Sequence, residues 1–139
     1  MRHFASDVFT ARQIEFRFRT PDAERDVSVG ANVRREVFLL FKEAVNNAVR
    51  HSGCTEADLE LRVEPEGLVL VVSDNGRGFD VALEAHGHGL VSMRDRTRGL
   101  GGALDLLSKP GEGTLLAFRI PFSPDSPHEY AVTKPPART

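Results

Sequence analysis

Residues 14–19 alternate strictly between apolar and polar, Ile14-Glu15-Phe16-Arg17-Phe18-Arg19, which is the period of a strand with one buried face. Before it, Phe4, Val8 and Phe9 share one side of a short helix over residues 2–12. After it, Thr20-Pro21-Asp22 ends the strand. Val33, Val37, Phe41, Ala44, Val45 and Ala48 then recur at helical spacing and predict a helix from about Val33 to His51. Ser28 to Asn32 offer capping groups at its start, and Gly53 offers a left-handed stop at its end. Two strands follow, about Glu56–Val63 and Leu68–Ser73, joined through Pro65-Glu66-Gly67 as an antiparallel hairpin. Residues 74–89 are Gly-rich and irregular. A helix over about Gly89–Arg98 and strands over about Ala103–Ser108 and Gly113–Ile120 complete the pattern.

This order of helix, strand, helix, two strands, helix, two strands predicts an α+β fold. It is a two-layer α/β sandwich with a mixed, mostly antiparallel sheet, helices on one face, and the other face partly wet. Residues 1–121 make the domain. Residues 122–139 carry Pro124, Pro127, Pro135 and Pro136 with little apolar content, and are expected to be a disordered tail or linker.

Composition narrows the function classes. At 139 residues the chain fits one domain with a real core. A net charge of -2, with bases and acids interspersed, gives no electrostatic footprint for nucleic acid or for direct membrane contact. No apolar run approaches the roughly 18 residues of a membrane span. Cys54 is the sole cysteine, so no intrachain disulfide forms, and a reducing, cytoplasmic setting is expected. Its position three residues past His51 is better read as a small residue beyond a helix end than as a nucleophile pair.

The polar side of the long helix is unusual. Glu43, Asn47 and Arg50 form one stripe, with Asn46 and His51 at its edges. A solvated face is normally rich in Lys and Glu, whereas this one offers a carboxylate, carboxamides and a cation, suited to a base, a metal ligand and phosphate contacts. Asp74 stands at a strand end, where it can accept from an exocyclic amine, and Gly76 and Gly78 after it let backbone approach a flat ring. Asp-Asn-Gly is equally good turn chemistry. Gly87 and Gly89 precede the next helix, where free N–H groups make an anion site, and Gly111-Glu112-Gly113-Thr114 adds a third glycine pair. There is no P-loop, and Gly87-His88-Gly89 lacks the context of a dinucleotide fingerprint. His86 and His88 have no third ligand at sensible spacing, which makes them a poor metal pair.

In order and spacing, these pieces resemble the ATP-binding catalytic domain of two-component sensor histidine kinases, within the superfamily shared with gyrase, Hsp90 and MutL proteins. Residues Phe41–His51 look like the family's N box, and Asp74–Phe79 like its G1 box. Gly87–Arg96 resembles the G2 box of the NarX/DesK-like subgroup, and Gly111–Thr114 resembles the closing motif. The match covers roughly residues 33–121. The resemblance implies the Bergerat form of the sandwich and a Mg-ATP site. In that site Asn47 would hold Mg²⁺ and Glu43 would orient or deprotonate the attacking group. Asn46, Arg50 and His51 would lie near the phosphates, and Asp74 would accept from the adenine amino group with Thr114 in support. Gly76, Gly78, Gly87, Gly89 and Leu90 would shape the pocket and its lid.

The implied reaction is transfer of the γ-phosphoryl to a histidine, for onward signalling to a response regulator. Residues 1–12 are too short for the acceptor-bearing dimerisation helices, so these are expected elsewhere in the same parent kinase, which a membrane anchor would suit. Two alternatives stay open: a serine kinase like the anti-sigma-factor kinases, with its acceptor on a regulatory protein, and an ATP-sensing interaction module without chemistry.

Overall fold

The computed structural model describes residues 1–20, 31–82 and 89–122. Gly67–Asp74 forms β3, the centre of a five-stranded sheet, and its run of Leu68, Val69, Leu70 and Val72 is buried on both faces. The order is β1 (Glu15–Arg19), β2 (Glu56–Val63), β3, β5 (Thr114–Pro121), β4 (Ala103–Ser108). The β2–β3, β3–β5 and β4–β5 pairs are antiparallel, whereas β1 pairs parallel to β2. A parallel pair needs a crossover, which α2 (Ala31–His51) provides. The hairpin turn is tight, with reciprocal bonds between Glu64 and Gly67 of 2.8 and 3.2 Å. The helix starts two residues before the predicted Val33. The capping residues expected at 28–30 lie outside the described residues.

The helix α2 lays Val37, Leu40, Phe41, Ala44, Val45 and Ala48 on the sheet, all at most 3 % exposed. Leu40 joins the face that the spacing predicted because α1 (Arg2–Ala11) and α3 (Leu90–Gly99) widen the layer on either side. Phe9 and Ala5 of α1 are fully buried. Aromatic contacts tie α1, α2 and β1 together: Phe18 stacks on Phe41 at 5.7 Å, Phe9 on Phe16 at 5.4 Å, and Phe4 meets Phe38 and Phe41 edge-on. The Lys42 ammonium stands 5.5 Å from the Phe4 and Phe38 rings, a cation–π cover for the cluster.

The opposite sheet face is wet at β1–β2, where Arg17 pairs with Asp58 at 3.0 Å and Arg19 with Glu60 at 3.7 Å. At the centre it is drier than expected. Val69 is 1 % exposed and sits in register between Arg62 and Arg119, whose long apolar stems can cover it. At the C-terminal end, the Phe122 N–H donates to the Glu66 carbonyl at 3.0 Å. Residues 123–139, where the tail is predicted, lie outside the described residues.

Candidate functional site

One cavity opens between α2 and the sheet. It is lined by Ala44, Asn47, Ala48, His51 and Ser52 of the helix and its end, by Val72 and Asp74 of β3, and by Thr114 and Leu116 of β5. Gly78, Phe79 and Leu90 close it. The seam between the polar stripe and the apolar face of α2 points into this space, so small Ala44 and Ala48 leave room where Asn47 and His51 bring polarity. Strand period explains the floor: Val72 and Asp74 are two apart, as are Thr114 and Leu116, so all four project to the inner face.

Asp74 is half-buried at the inner end. The N–H of Gly76 donates to its Oδ1 at 2.8 Å, and the Thr114 N–H also bonds to the carboxyl. Burial pushes the Asp74 carboxyl above its ordinary value, and those two backbone donors pull it part of the way back. This acceptor is fixed in an apolar slot of Val72, Phe79, Leu90 and Leu116, the composition of a flat-ring site with one orienting polar group.

The turn after Asp74 is pinned to the end of α2. The Ser52 hydroxyl donates to the Ala48 carbonyl at 2.6 Å and accepts the Cys54 N–H at 3.0 Å. The Ser52 carbonyl accepts from the Arg77 N–H at 2.8 Å. Gly76 packs directly on Ser52, and any Cβ there would collide with it. Ser52, which the motif reading passed over, is thus the joint between helix and turn. Cys54 is buried, and burial raises its thiol pKa against an opposing hydrogen bond with Ser52. It is a protonated core residue, as its place in the sequence suggested.

Of the residues singled out in the sequence, Asn47, His51, Asp74, Gly78, Leu90 and Thr114 line this cavity. Gly76 braces it from behind. Glu43 and Gly89 meet at its rim: Gly89, the N-cap of α3 with φ +70°, lies so close to the Glu43 carboxylate that an added Cβ would displace it. Asn46 and Arg50 lie on the flank of α2 beyond Asn47 and do not line the cavity. Gly87 lies outside the described residues, as do His86 and His88. Past Gly89 a wider groove runs between α2 and α3 along Glu36, Ser92, Asp95 and Arg96. There the Arg96 guanidinium bonds Glu36 at 2.6 Å. Among the described residues no cluster of His, Cys, Asp and Glu forms a metal-ligand group. No helix among them is long and apolar enough to cross a membrane.

The sequence profile of the family described as "Histidine kinase-, DNA gyrase B-, and HSP90-like ATPase" matches residues 32–124. The chain is 32 % identical over 120 residues to "Sensor histidine kinase LiaS" of Bacillus subtilis, covering 83 % of this chain and 33 % of that protein. It is 29 % identical over 106 residues to "Sensor protein VraS" of Staphylococcus aureus, covering 76 % and 30 %. Among solved structures it superposes on the histidine kinase domain of a blue-light activated histidine kinase of Erythrobacter litoralis. The TM-score is 0.74 at 22 % identity, covering 95 % of this chain and 63 % of that one. The chain thus spans about a third of the length of the curated relatives it matches.

Proposed function

Because this chain belongs to the histidine kinase-, DNA gyrase B-, and HSP90-like ATPase family, and is an ATP-binding kinase domain of the histidine kinase type, we propose that it donates the γ-phosphoryl of Mg-ATP to a histidine on helices outside this chain. The observation that carries the reading is the Asp74 carboxylate, fixed by Gly76 and Thr114 at the end of an apolar slot whose opposite wall bears Asn47.

In this reading the adenine ring lies between Val72, Phe79, Leu90 and Leu116, and its amino group donates to Asp74. Guanine would set a carbonyl against the carboxylate, acceptor against acceptor, so ATP is favoured over GTP. His51 faces the middle of the nucleotide, while Asn46 and Arg50 flank its phosphates on the outer side of Asn47. The Asn47 carboxamide oxygen is a hard donor suited to Mg²⁺, which would supply charge neutralisation on the phosphates. Glu43 orients the acceptor imidazole and takes its proton as the new P–N bond forms and the P–O bond to the leaving ADP breaks. Gly89 admits the phosphates to the rim, and Gly87 is assigned to the lid before it.

The acceptor helices are proposed to belong to the same parent kinase, with a response regulator receiving the phosphoryl group afterwards. A cytoplasmic site of action suits both. The test has two parts. Calorimetry should show ATP binding that Mg²⁺ strengthens and GTP binding that is at least about tenfold weaker. Incubation with the helical acceptor and Mg-ATP should then give an acid-labile phosphoprotein. An acid-stable product would assign a serine kinase, and binding without transfer would assign a sensing module.

A further inference from the structure

Three strands bring Asp74, Thr114 and Ser108 side by side on the inner sheet face, since Asp74 pairs with Thr114 and Thr114 with Ser108. Asp74 and Thr114 line the cavity, and Ser108 stands behind them. The Ser108 Oγ has three neighbours: the Phe79 N–H at 2.9 Å, the Gly113 carbonyl at 3.0 Å and the Thr114 Oγ1 at 2.9 Å. A hydroxyl carries one proton and two lone pairs.

The amide can only donate and the carbonyl can only accept, so the Ser108 proton goes to Gly113 and one lone pair to Phe79. The remaining lone pair must then accept from Thr114. In the reverse arrangement Ser108 would donate to Thr114, leaving two oxygens with opposed lone pairs 3.0 Å apart at Gly113. Thr114's only proton is therefore turned away from the cavity, and its lone pairs face inward beside the Asp74 carboxylate.

We infer that Ser108 is a specificity-positioning residue: by holding the Thr114 hydroxyl as a pure acceptor, it makes the inner end of the cavity a double acceptor selective for a purine bearing a 6-amino group. The inference rests on the nucleotide reading above and adds to it a residue that never touches the base. Without Ser108, the Thr114 hydroxyl is free to rotate and donate toward a 6-oxo group.

The test compares ATP with inosine triphosphate, which replaces the 6-amino group by a carbonyl without adding a 2-amino group. Calorimetry with Mg²⁺ on the 139-residue chain gives the two affinities. Ser108→Ala should weaken ATP, strengthen the 6-oxo nucleotide, and shrink their ratio by about tenfold, the scale of one hydrogen bond exchanged. Ser108→Thr, which keeps a hydroxyl, should restore the ratio. In a Thr114→Val background, which itself lowers the ratio, Ser108→Ala should have no further effect on it.

A ratio that stays within about twofold in a folded Ser108→Ala chain, or that shifts equally in the Thr114→Val background, overturns the inference. If Ser108→Ala does not fold, an unchanged ratio in Thr114→Val overturns it instead. Failure of the unaltered chain to bind ATP overturns the nucleotide reading itself. ATP binding with an unmoved ratio removes Ser108 alone.

Discussion

The Glu43 carboxylate rests against Gly89, joining the middle of α2 to the N-cap of α3 so closely that a Cβ on Gly89 would have to push the carboxylate aside. Gly89→Ala would add a methyl group there and force an L-residue to φ +70°, at a cost of about 1–2 kcal/mol. The displaced partner is Glu43, so phosphoryl transfer should fall at least about tenfold while ATP affinity changes less. Gly99 gives the contrast, since an added Cβ there meets nothing within 4 Å. Gly99→Ala should leave transfer intact and stabilise the domain by about 0.5 kcal/mol, read by urea unfolding.

Asp74 predicts an opposition between stability and binding. Its carboxyl titrates above the ordinary range because of burial, so the folded state holds that proton more tightly than the unfolded chain. The stability it contributes is complete below the unfolded carboxylate value and is lost as pH rises through the folded value. At pH 7 the buried charge is a net cost, and Asp74→Asn should be at least as stable as the original chain, with the difference narrowing toward pH 4. The same substitution should weaken ATP by about tenfold or more, because a carboxamide accepts less strongly than a carboxylate. Thermal melts across pH and calorimetry at pH 7 check the two halves.

Glu43 and Asn47 lie one turn apart on α2 and should separate cleanly by kinetics. Glu43→Gln keeps the shape of the rim and should bind Mg-ATP within about threefold of the original. Transfer measured in a single turnover should drop by about a hundredfold, the scale of a lost general base. Asn47→Ala should instead abolish the gain in ATP affinity that Mg²⁺ brings, seen by titrating with and without the metal.

The Glu36–Arg96 pair, 2.6 Å and partly exposed, links α2 to α3 over sixty positions of chain. Exposure keeps its contribution within about 0.2–1 kcal/mol. Glu36→Gln and Arg96→Met should each lower the urea midpoint slightly, and the pair of changes should not be additive. Salt at about 1 M should erase the coupling.

The elements were legible in the chain because their signals are local. The alternation of residues 14–19, the helical spacing from Val33 to Ala48 and the Pro65–Gly67 turn each specify their element within a few neighbours. The parallel setting of β1 beside β2 was not, because it depends on where a helix deposits the chain after crossing the sheet. The cavity was legible in part. Asn47 and His51 share a helix face, and Asp74 and Thr114 end strands, which marks them as candidates; pairing them in register is a property of the sheet. Phe79 closes the stretch that resembles the G1 box, whereas Leu116 gives no sign of a site among the apolar positions of its strand. Ser108 carried no signal at all, since a hydroxyl at a strand end is common and its three partners come from separate segments. The ion pair of Arg96 was equally hidden among the alternating arginines of α3.

The aromatic seam among Phe4, Phe18, Phe38 and Phe41 lies partly outside the 32–124 span that the family profile matches. A chain trimmed to that span would lose α1 and β1 together, baring the Phe41 ring and leaving β2 as a raw edge with its N–H and C=O groups unclaimed. Such a truncation should self-associate in solution even with every cavity-lining residue intact. The first twenty residues therefore serve as a cover for the Phe41 ring and for the open edge of β2.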